Sequence, residues 1–267
     1  MEKDRTVNEI LEEHYSGYDE DARLGSRHGQ VEYLTTVKYM DECLAGADAP
    51  AVIEIGAGTG RYSIMLAKRG ISVTAVELTS HNIGILKSKL DGTEPIEVYQ
   101  GNAMDLGFLP DASYDLTLLL GPMYHLYTRA DKLRALSEAV RVTKPGGHIM
   151  VAYCMNEACV LQYVFGGGNL KSTLDRGMLT PDWRCVSCAE EVFELVRTEE
   201  IADLDAELPV DRIKLVASDG PAHYMKALLE SMDGFEFDKW MEYHFATCER
   251  QDIIGASNHT IDILRKR

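Results

Sequence analysis

The chain has 267 residues, of which 45% are hydrophobic and 26% charged, a composition that excludes disordered and fibrous classes and suits one large α/β domain with or without an insertion. Lys and Arg number 27 against 43 Asp and Glu, giving a formal net charge of −16. Because such a surface repels phosphate backbones, the charge disfavours nucleic acid as a partner.

The first 48 residues are polar and helical in pattern. Thr6 to Tyr15 suits an amphipathic helix, and Val31 to Leu44 carries apolar residues at helical spacing. The loop between them contains Tyr18, Arg23 and Arg27, and it is equally typical of a closing loop and of a surface connector. We interpret residues 1–48 as an N-terminal helical lid segment.

The N-terminal segment is charged and has no apolar core of the signal-peptide type. A run of about 18 apolar residues, which a membrane-spanning helix requires, is also absent from the sequence. We therefore expect a cytoplasmic protein with no membrane partner. A homodimer is compatible with the sequence.

From Ala51 onward, short apolar runs alternate with amphipathic helices, which predicts βαβ units and a parallel sheet. The first five predicted strands are Ala51–Ile55, Ser72–Glu77, Ile96–Tyr99, Tyr114–Leu120 and His148–Tyr153. The predicted intervening helices are Arg61–Arg69, Ser80–Leu90 and Ala130–Val142, the last ended by a turn at Lys144 to Gly147. Residues 49–154 would thus form a core that binds its ligand beyond the carboxyl ends of the strands.

Residues 155–208 break this alternation with a glycine run at Gly166 to Gly168, so we predict a substrate-binding cap inserted after the fifth strand. Residues 209–267 would complete the sheet. Their predicted elements are strands Asp211–Ala217 and His259–Leu264 and helices Ala222–Ser231 and Phe235–Cys248. The predicted fold is α/β, with a doubly wound, mostly parallel, seven-stranded sheet, helices on both faces and the inserted cap.

The stretch VIEIGAGTGRY predicts a strand, a glycine turn and a helix. Gly56, Gly58 and Gly60 let the backbone turn tightly and approach a ligand closely. Arg61 occupies the position of the third glycine of a dinucleotide fingerprint, and the GK[ST] of a phosphate-binding loop is absent. Glu77 ends the next strand, where a carboxylate can accept hydrogen bonds from ribose hydroxyls. The pattern favours an adenosine-like ligand without pyrophosphate.

From Ala51 to Tyr153 the sequence resembles the class I S-adenosylmethionine-dependent methyltransferases. The resemblance is carried by EIGAGTG, AVEL, GNAMDLGFLPDASYDLTLLLGPMYHL and KPGGHIMVAY, in that order. It implies a Rossmann-like core, S-adenosyl-L-methionine as cofactor and S-adenosyl-L-homocysteine as product. It also implies that the glycine turn lies under the methionine part and that Glu77 holds the ribose.

The resemblance implies a set of cofactor-binding residues on the turn and on the strand ends. They are Glu54, Gly56, Ala57, Gly58, Gly60, Glu77, Leu78, Asn102, Ala103, Met104 and Leu120. Asn102 and Ala103 fall where the family usually has Asp-Ala against the adenine edge. Asn keeps a carbonyl that can accept a hydrogen bond from the adenine amino group. The guanidinium groups of the lid loop could reach the cofactor's carboxylate.

The fourth strand ends in LGPMYHL, at the mouth of the implied cofactor pocket. Tyr124 and His125 are the candidate catalytic residues, because an imidazole near its ordinary pKa can remove a proton from an acceptor. His125 could equally order the loop, since alignment alone carries many methyl transfers. The segment lacks the amide or acid with which related enzymes bind planar amines.

The sequence therefore predicts transfer of a methyl group to an O, N or S atom of a small-molecule acceptor. The alternatives are a tRNA, rRNA or protein methyltransferase and a non-catalytic S-adenosylmethionine-binding module; an NAD-dependent oxidoreductase is disfavoured by Arg61.

Two polar groups of residues leave their roles open. Cys185 and Cys188 form a CxxC, but no second pair completes a zinc site, so we expect reduced cysteines and no bound metal. Near the C-terminus, five polar residues could converge on a substrate or cap a helix and a strand: Glu249, Arg250, Ser257, Asn258 and His259.

Overall fold

The structure of the chain is a computed structural model, which describes residues 6–17 and 24–267. Within these residues eight strands form one sheet. The strands are β1 (Ala51–Ile55), β2 (Ser72–Glu77), β3 (Ile96–Gln100), β4 (Tyr114–Leu119), β5 (Thr143–Met155), β6 (Leu195–Val196), β7 (Val210–Ala217) and β8 (His259–Lys266).

The sheet has the strand order β3-β2-β1-β4-β5-β8-β7, and β6 pairs with β5. Strands β1 to β5 are parallel, whereas β8 runs antiparallel to both β5 and β7. The predicted doubly wound, mostly parallel sheet is confirmed. Strand β6 was not predicted, because two residues are too short to show an alternating pattern.

Helices occupy the connections between the strands. They are α1 (Val7–Ser16), α2 (Arg27–Cys43), α3 (Arg61–Lys68), α4 (Ser80–Ser88), α5 (Arg129–Val142), α6 (Asn156–Cys159), α7 (Leu170–Asp175), α8 (Thr198–Asp205), α9 (Lys226–Ser231), α10 (Gly234–Thr247) and α11 (Gln251–Ile254). A π-helical turn spans Val160–Gly166, and 3₁₀ turns span Pro122–His125 and Ala189–Glu191. Among the described residues, no helix combines the length and apolar character needed to cross a membrane.

The predicted turn at Lys144 to Gly147 lies inside β5, so the predicted start of that strand at His148 was wrong. Tyr114 pairs with Thr143 and Leu116 pairs with His148, which leaves the four intervening residues as a bulge. Gly146 has φ +76° there, a conformation that glycine adopts without steric cost. The turn residues do interrupt the regular pairing of the strand, as predicted. However, β5 pairs with β4 both before and after the interruption.

The N-terminal prediction needs one correction. Helix α2 begins at Arg27 rather than Val31, with the Ser26 side chain accepting a hydrogen bond from the Gly29 N–H. Arg27 therefore belongs to a helix, and its guanidinium lies 5.2 Å from the ring of Phe237 on α10. It does not belong to a loop that could reach a cofactor. Tyr18 and Arg23 lie outside the described residues.

Both faces of the sheet are buried, which explains why its central strands are continuous apolar runs. Ile53 and Ile55 of β1 point to the face covered by α5, while Val52 points to the face covered by α2 and α3. The carboxyl ends of β1, β2 and β4 consequently meet at one edge, where their loops are held by packed helices on either side.

Candidate cofactor and acceptor site

The glycine turn follows β1 directly and is fixed by the neighbouring strand. Gly56, Gly58 and Gly60 have φ of +78°, +54° and +85°, a region that L side chains rarely adopt. A Cβ on Gly56 would lie 2.6 Å from Cδ of Pro122, and one on Gly60 would lie 2.6 Å from Cγ of Leu86. At Gly58 no described heavy atom lies within 4 Å of such a Cβ. Packing against Pro122 and Leu86 thus leaves no room for a side chain at Gly56 or Gly60. Gly58 has open space beside its backbone that a ligand could occupy.

Glu77 ends β2 beside this turn, as the sequence predicts. Its Oε2 accepts a hydrogen bond from the Gly58 N–H at 2.9 Å, and its Oε1 accepts from the Thr79 N–H and hydroxyl at 2.9 and 2.8 Å. The side chain is 6% exposed. The carboxylate therefore joins the glycine turn to the start of α4 and lines the cavity described below.

Glu54 lies beneath the turn. Its carboxyl group accepts hydrogen bonds from the Ser63 hydroxyl and from the Ser63 N–H, the latter at 2.9 Å. Burial raises the pKa of Glu54 to about 8, and the hydrogen bonds to Ser63 oppose that rise without cancelling it. At neutral pH a protonated Glu54 therefore tethers β1 to α3 and adds little negative charge to the site.

The other predicted cofactor residues lie around the same edge. Leu78, Asn102, Ala103, Met104 and Leu120 line the cavity. Ala57 also lines it and packs with Ala75 and Leu86 below the turn. The Asn102 carbonyl oxygen accepts a hydrogen bond from the Met104 N–H at 2.9 Å. A carbonyl oxygen has two lone pairs, so this contact leaves one for a ligand.

These residues form one wall of a cavity of about 870 Å³, which is within the range of small-molecule sites. Leu11 and Tyr15 of α1 line it from the N-terminal side. Cys159, Val186 and Phe193 line it from the segment that follows β5. The cavity is thus bounded by the sheet edge, by the N-terminal helix and by residues of the predicted cap.

Helix α1 is held against the cofactor edge by Glu12. Its carboxylate accepts hydrogen bonds from the Ser80 hydroxyl at 2.5 Å and from the backbone N–H groups of Ser80 and His81, both at 3.2 Å. The hydrogen bond from Ser80 lowers the pKa of Glu12. An acidic side chain here satisfies N–H groups that α4 leaves unpaired at its start.

His125 connects the N-terminal helix to the predicted cap. Its Nδ1 lies 2.9 Å from the carbonyl oxygen of Val192, which can only accept, so Nδ1 carries the proton. Its Nε2 then accepts from the Tyr15 hydroxyl at 2.8 Å. Burial lowers the pKa of His125 to about 4, so the ring is neutral at physiological pH. Both nitrogens are engaged by the protein, an arrangement that favours the loop-ordering role over the base role.

Tyr124, the second candidate catalytic residue, lines the cavity beside His125. Its ring centroid lies 5.8 Å from that of His259, the first residue of β8. Of the C-terminal polar residues, Asn258 and His259 line the cavity. Glu249 accepts hydrogen bonds from Tyr39 and Lys214, so it holds α2 against the sheet instead.

The structure assembles four further residues that the sequence did not point to as a group. They are Glu32 on α2, Asp219 and His223 after β7, and His259. The Asp219 Oδ2 lies 2.8 Å from His259 Nδ1 and 3.5 Å from His223 Nε2. Asp219 and His259 are close because of β7–β8 pairing, since Ala217 pairs with Thr260 and so brings the residues just beyond that pair together. Sequence spacing alone carries no signal of this pairing.

Hydrogen bonds and neighbouring charges shift the pKa values of Asp219 and His259 in this cluster. Burial alone would raise the pKa of Asp219. The neighbouring His259 and the hydrogen-bond donors around the carboxylate outweigh burial and hold the pKa well below its ordinary value. Burial likewise lowers the pKa of His259, but Glu32 and Asp219 raise it to well above its ordinary value. The two carboxylates therefore create a field that favours positive charge at this wall of the cavity.

Cys185 of the CxxC lies in hydrogen-bonding contact with a third cysteine. Cys185 interacts with Cys159 on α6, and that hydrogen bond lowers the pKa of the Cys159 thiol. All six cysteines of the chain are free thiols. Cys159 and Cys185 both line the cavity.

Comparison with known proteins identifies the core. Residues 53–151 match the family model described as a methyltransferase domain. The chain is 25% identical over 154 residues to the demethylmenaquinone methyltransferase of Bacillus licheniformis, covering 55% of this chain and 62% of that protein. It is 24% identical over 148 residues to the ubiquinone biosynthesis O-methyltransferase of Alkalilimnicola ehrlichii, covering 55% and 58%. The chain thus spans about three fifths of the length of these curated relatives.

Among solved structures, a SAM-dependent methyltransferase from Thermotoga maritima has a TM-score of 0.55 at 17% identity, covering 98% of this chain and 100% of that one. This likeness confirms the fold over nearly the whole chain. The match of residues 53–151 agrees with the resemblance found in the sequence: this part of the chain is a methyltransferase domain.

Proposed function

We propose that the protein transfers a methyl group from S-adenosyl-L-methionine to an O, N or S atom of a small-molecule acceptor. The observation that carries this proposal is the Glu77 carboxylate, hydrogen-bonded to the Gly58 N–H at the edge of a cavity of about 870 Å³. A ribose-binding acid beside an open glycine backbone suits an adenosyl ligand without pyrophosphate. The curated relatives described above, a demethylmenaquinone methyltransferase and a ubiquinone biosynthesis O-methyltransferase, support a small acceptor.

In the proposed reaction the cofactor supplies an activated methyl group on a sulfonium. A lone pair on the acceptor atom would form a bond to the methyl carbon as the carbon–sulfur bond breaks, giving the methylated acceptor and S-adenosyl-L-homocysteine. A proton bound to the acceptor atom would pass to solvent. The protein's part is to hold both reactants in line and to exclude water. Glu77 and the glycine turn would hold the cofactor, and Leu78, Met104 and Leu120 would pack around it.

Enclosure of the cavity favours a small acceptor over a macromolecule. Helix α1 is docked at Ser80 through Glu12, and it meets His125 through Tyr15. The cap segment meets the same histidine through Val192. In this proposal residues 1–48 act as the lid and residues 155–208 as the cap, and His125 positions both instead of accepting a proton from the acceptor.

Three measurements test the proposal. Calorimetry should show binding of S-adenosyl-L-homocysteine and no binding of NADH; the reverse result would favour an oxidoreductase. A screen of hydroxyl, amine and thiol acceptors with methyl-labelled cofactor should then yield labelled product. Binding without turnover on any acceptor would favour a non-catalytic module, and a salt-dependent shift of RNA by the purified protein would favour an RNA methyltransferase.

A further inference from the structure

Glu32, Asp219, His223 and His259 bring four potential ligand atoms together, and all of these residues except Asp219 line the cavity. Each residue offers one oxygen or nitrogen atom, and all four atoms lie within 4.8 Å of one another. The closest separations are 2.8 and 3.5 Å, between Asp219 and the two histidines. In a tetrahedral site with bonds of about 2.0–2.2 Å, ligand atoms lie about 3.3–3.6 Å apart. Small side-chain shifts, outward for Asp219 and His259 and inward for the most widely separated atoms, would therefore complete a coordination sphere.

The charges of the cluster suit a dication. Glu32 and Asp219 are 8% and 0% exposed, and the Glu32 Oε2 lies 3.5 Å from His259 Nδ1. Two carboxylates buried this deeply require compensating positive charge, and His259 alone, which pairs with both, can supply only one unit of it. A divalent cation between them would neutralise both, and each imidazole would then bind it through a neutral nitrogen.

The Asp219 carboxylate is held in a ligand-like orientation by its surroundings. Its Oδ1 accepts hydrogen bonds from the Ser257 hydroxyl at 2.6 Å and from the N–H groups of Asn258 and His259 at 3.0 Å each. Its Oδ2 is thereby directed at the two histidines. Fixing one carboxylate oxygen with outer hydrogen bonds while the other faces the donors is the arrangement that supports metal ligands.

We propose that Glu32, Asp219, His223 and His259 bind one divalent transition-metal cation. Two imidazole nitrogens with two carboxylate oxygens suit Zn²⁺, Mn²⁺ or Fe²⁺ better than the all-oxygen sites that Mg²⁺ and Ca²⁺ prefer. Glu32, His223 and His259 line the cavity, and His259 lies next to Tyr124. If the proposed methyl transfer is correct, the cation sits on the acceptor side and orients an acceptor oxygen.

The test measures metal directly. The full-length protein is stripped with a chelator, reloaded with Zn²⁺ or Mn²⁺, desalted and analysed by plasma mass spectrometry, and affinities are obtained by competition with a chromophoric chelator. Wild type should retain one equivalent. Glu32→Gln and His223→Gln should each weaken binding by more than about 100-fold, beyond the usual effect of losing an outer-shell partner.

Glu230→Gln is the matched control. Glu230 accepts a hydrogen bond from His28, whose ring lies 5.3 Å from that of His223, so the change removes a neighbouring carboxylate outside the cluster. It should retain one equivalent. The metal-induced rise in melting temperature, present in wild type and absent in Glu32→Gln, provides a second readout on folded protein.

Retention of neither metal by wild type, or equal affinity in wild type and both cluster variants, would overturn the proposal and leave the cluster as a metal-free ion-pair network. Binding of S-adenosyl-L-homocysteine is measured on the same samples. Because that measurement reports on the proposed function alone, failure of the metal site and failure of the function are distinguishable.

Discussion

The carboxylate of Glu77 offers the sharpest test of the cofactor site, through the substitution Glu77→Gln. In the structure its two oxygens face donors on different elements, the Gly58 N–H on one side and the Thr79 N–H on the other. An amide keeps one oxygen and replaces the other with an NH₂ group. Whichever way the amide turns, a donor then faces a donor, which costs about 1–3 kcal/mol of folding stability.

The expected loss of cofactor affinity has a separate source. A hydrogen bond to a charged group contributes about 1.5–3 kcal/mol, and each 1.4 kcal/mol is about a factor of ten in affinity. If Glu77 holds the ribose as proposed, removing its charge should weaken binding of S-adenosyl-L-homocysteine roughly ten- to a hundredfold. Calorimetry measures this constant, and urea denaturation measures the stability change on the same protein.

Glu97→Gln is the control for this prediction. Glu97 lies on the adjacent strand β3, is exposed, and accepts a hydrogen bond from Tyr99 at 2.8 Å. Its replacement should change neither quantity appreciably. Unchanged cofactor affinity in folded Glu77→Gln would refute the ribose assignment, whatever happens to its stability.

Three further predictions concern pH, charge and backbone conformation. Burial lowers the pKa of His125 to about 4, below the value of about 6.5 in the unfolded chain. As pH falls from about 6.5 to 4, the unfolded chain therefore binds a proton at His125 that the folded chain does not bind. The free energy of unfolding should fall by about 1.4 kcal/mol per pH unit over this range. His125→Asn should lose less stability than wild type over this range in urea titrations, and parallel losses would contradict it. Because Glu54 has a pKa of about 8, Glu54→Gln should retain stability at pH 7, whereas Glu54→Ala should lose about 1–3 kcal/mol; equal losses would argue that the acid is ionised. Gly56→Ala should lower the melting temperature more than Gly70→Ala. Both glycines have positive φ, but only Gly56 lacks space for a Cβ. Equal decreases would show that backbone strain alone accounts for the destabilisation and that the contact with Pro122 adds nothing.

The sequence predicted the core of the fold because that part of the chain is organised locally. Each of β1 to β4 is a short apolar run bounded by turn residues, and the glycine turn and Glu77 lie at the ends of the first two. The positions of these residues follow from parallel pairing alone, so Gly58 and Glu77 were expected to meet and do so at 2.9 Å.

The remaining features depend on contacts between distant parts of the chain. The hydrogen bond from Tyr15 to His125 joins residues 110 positions apart, and nothing in either local sequence indicates it. The meeting of Glu32 with Asp219 and His259 likewise requires the packing of α2 against the β7–β8 end of the sheet. Periodicity and motif spacing report on neighbours along the chain, so neither contact could be read from them.

The two hydrogen bonds of His125 have a consequence for how α1 is held against the segment that follows β5. The Tyr15 hydroxyl and the Val192 carbonyl oxygen are bonded to the two nitrogens of the same imidazole ring. Rotation of that ring would break both hydrogen bonds at once, so the contact of α1 with the segment after β5 depends on the orientation of one side chain.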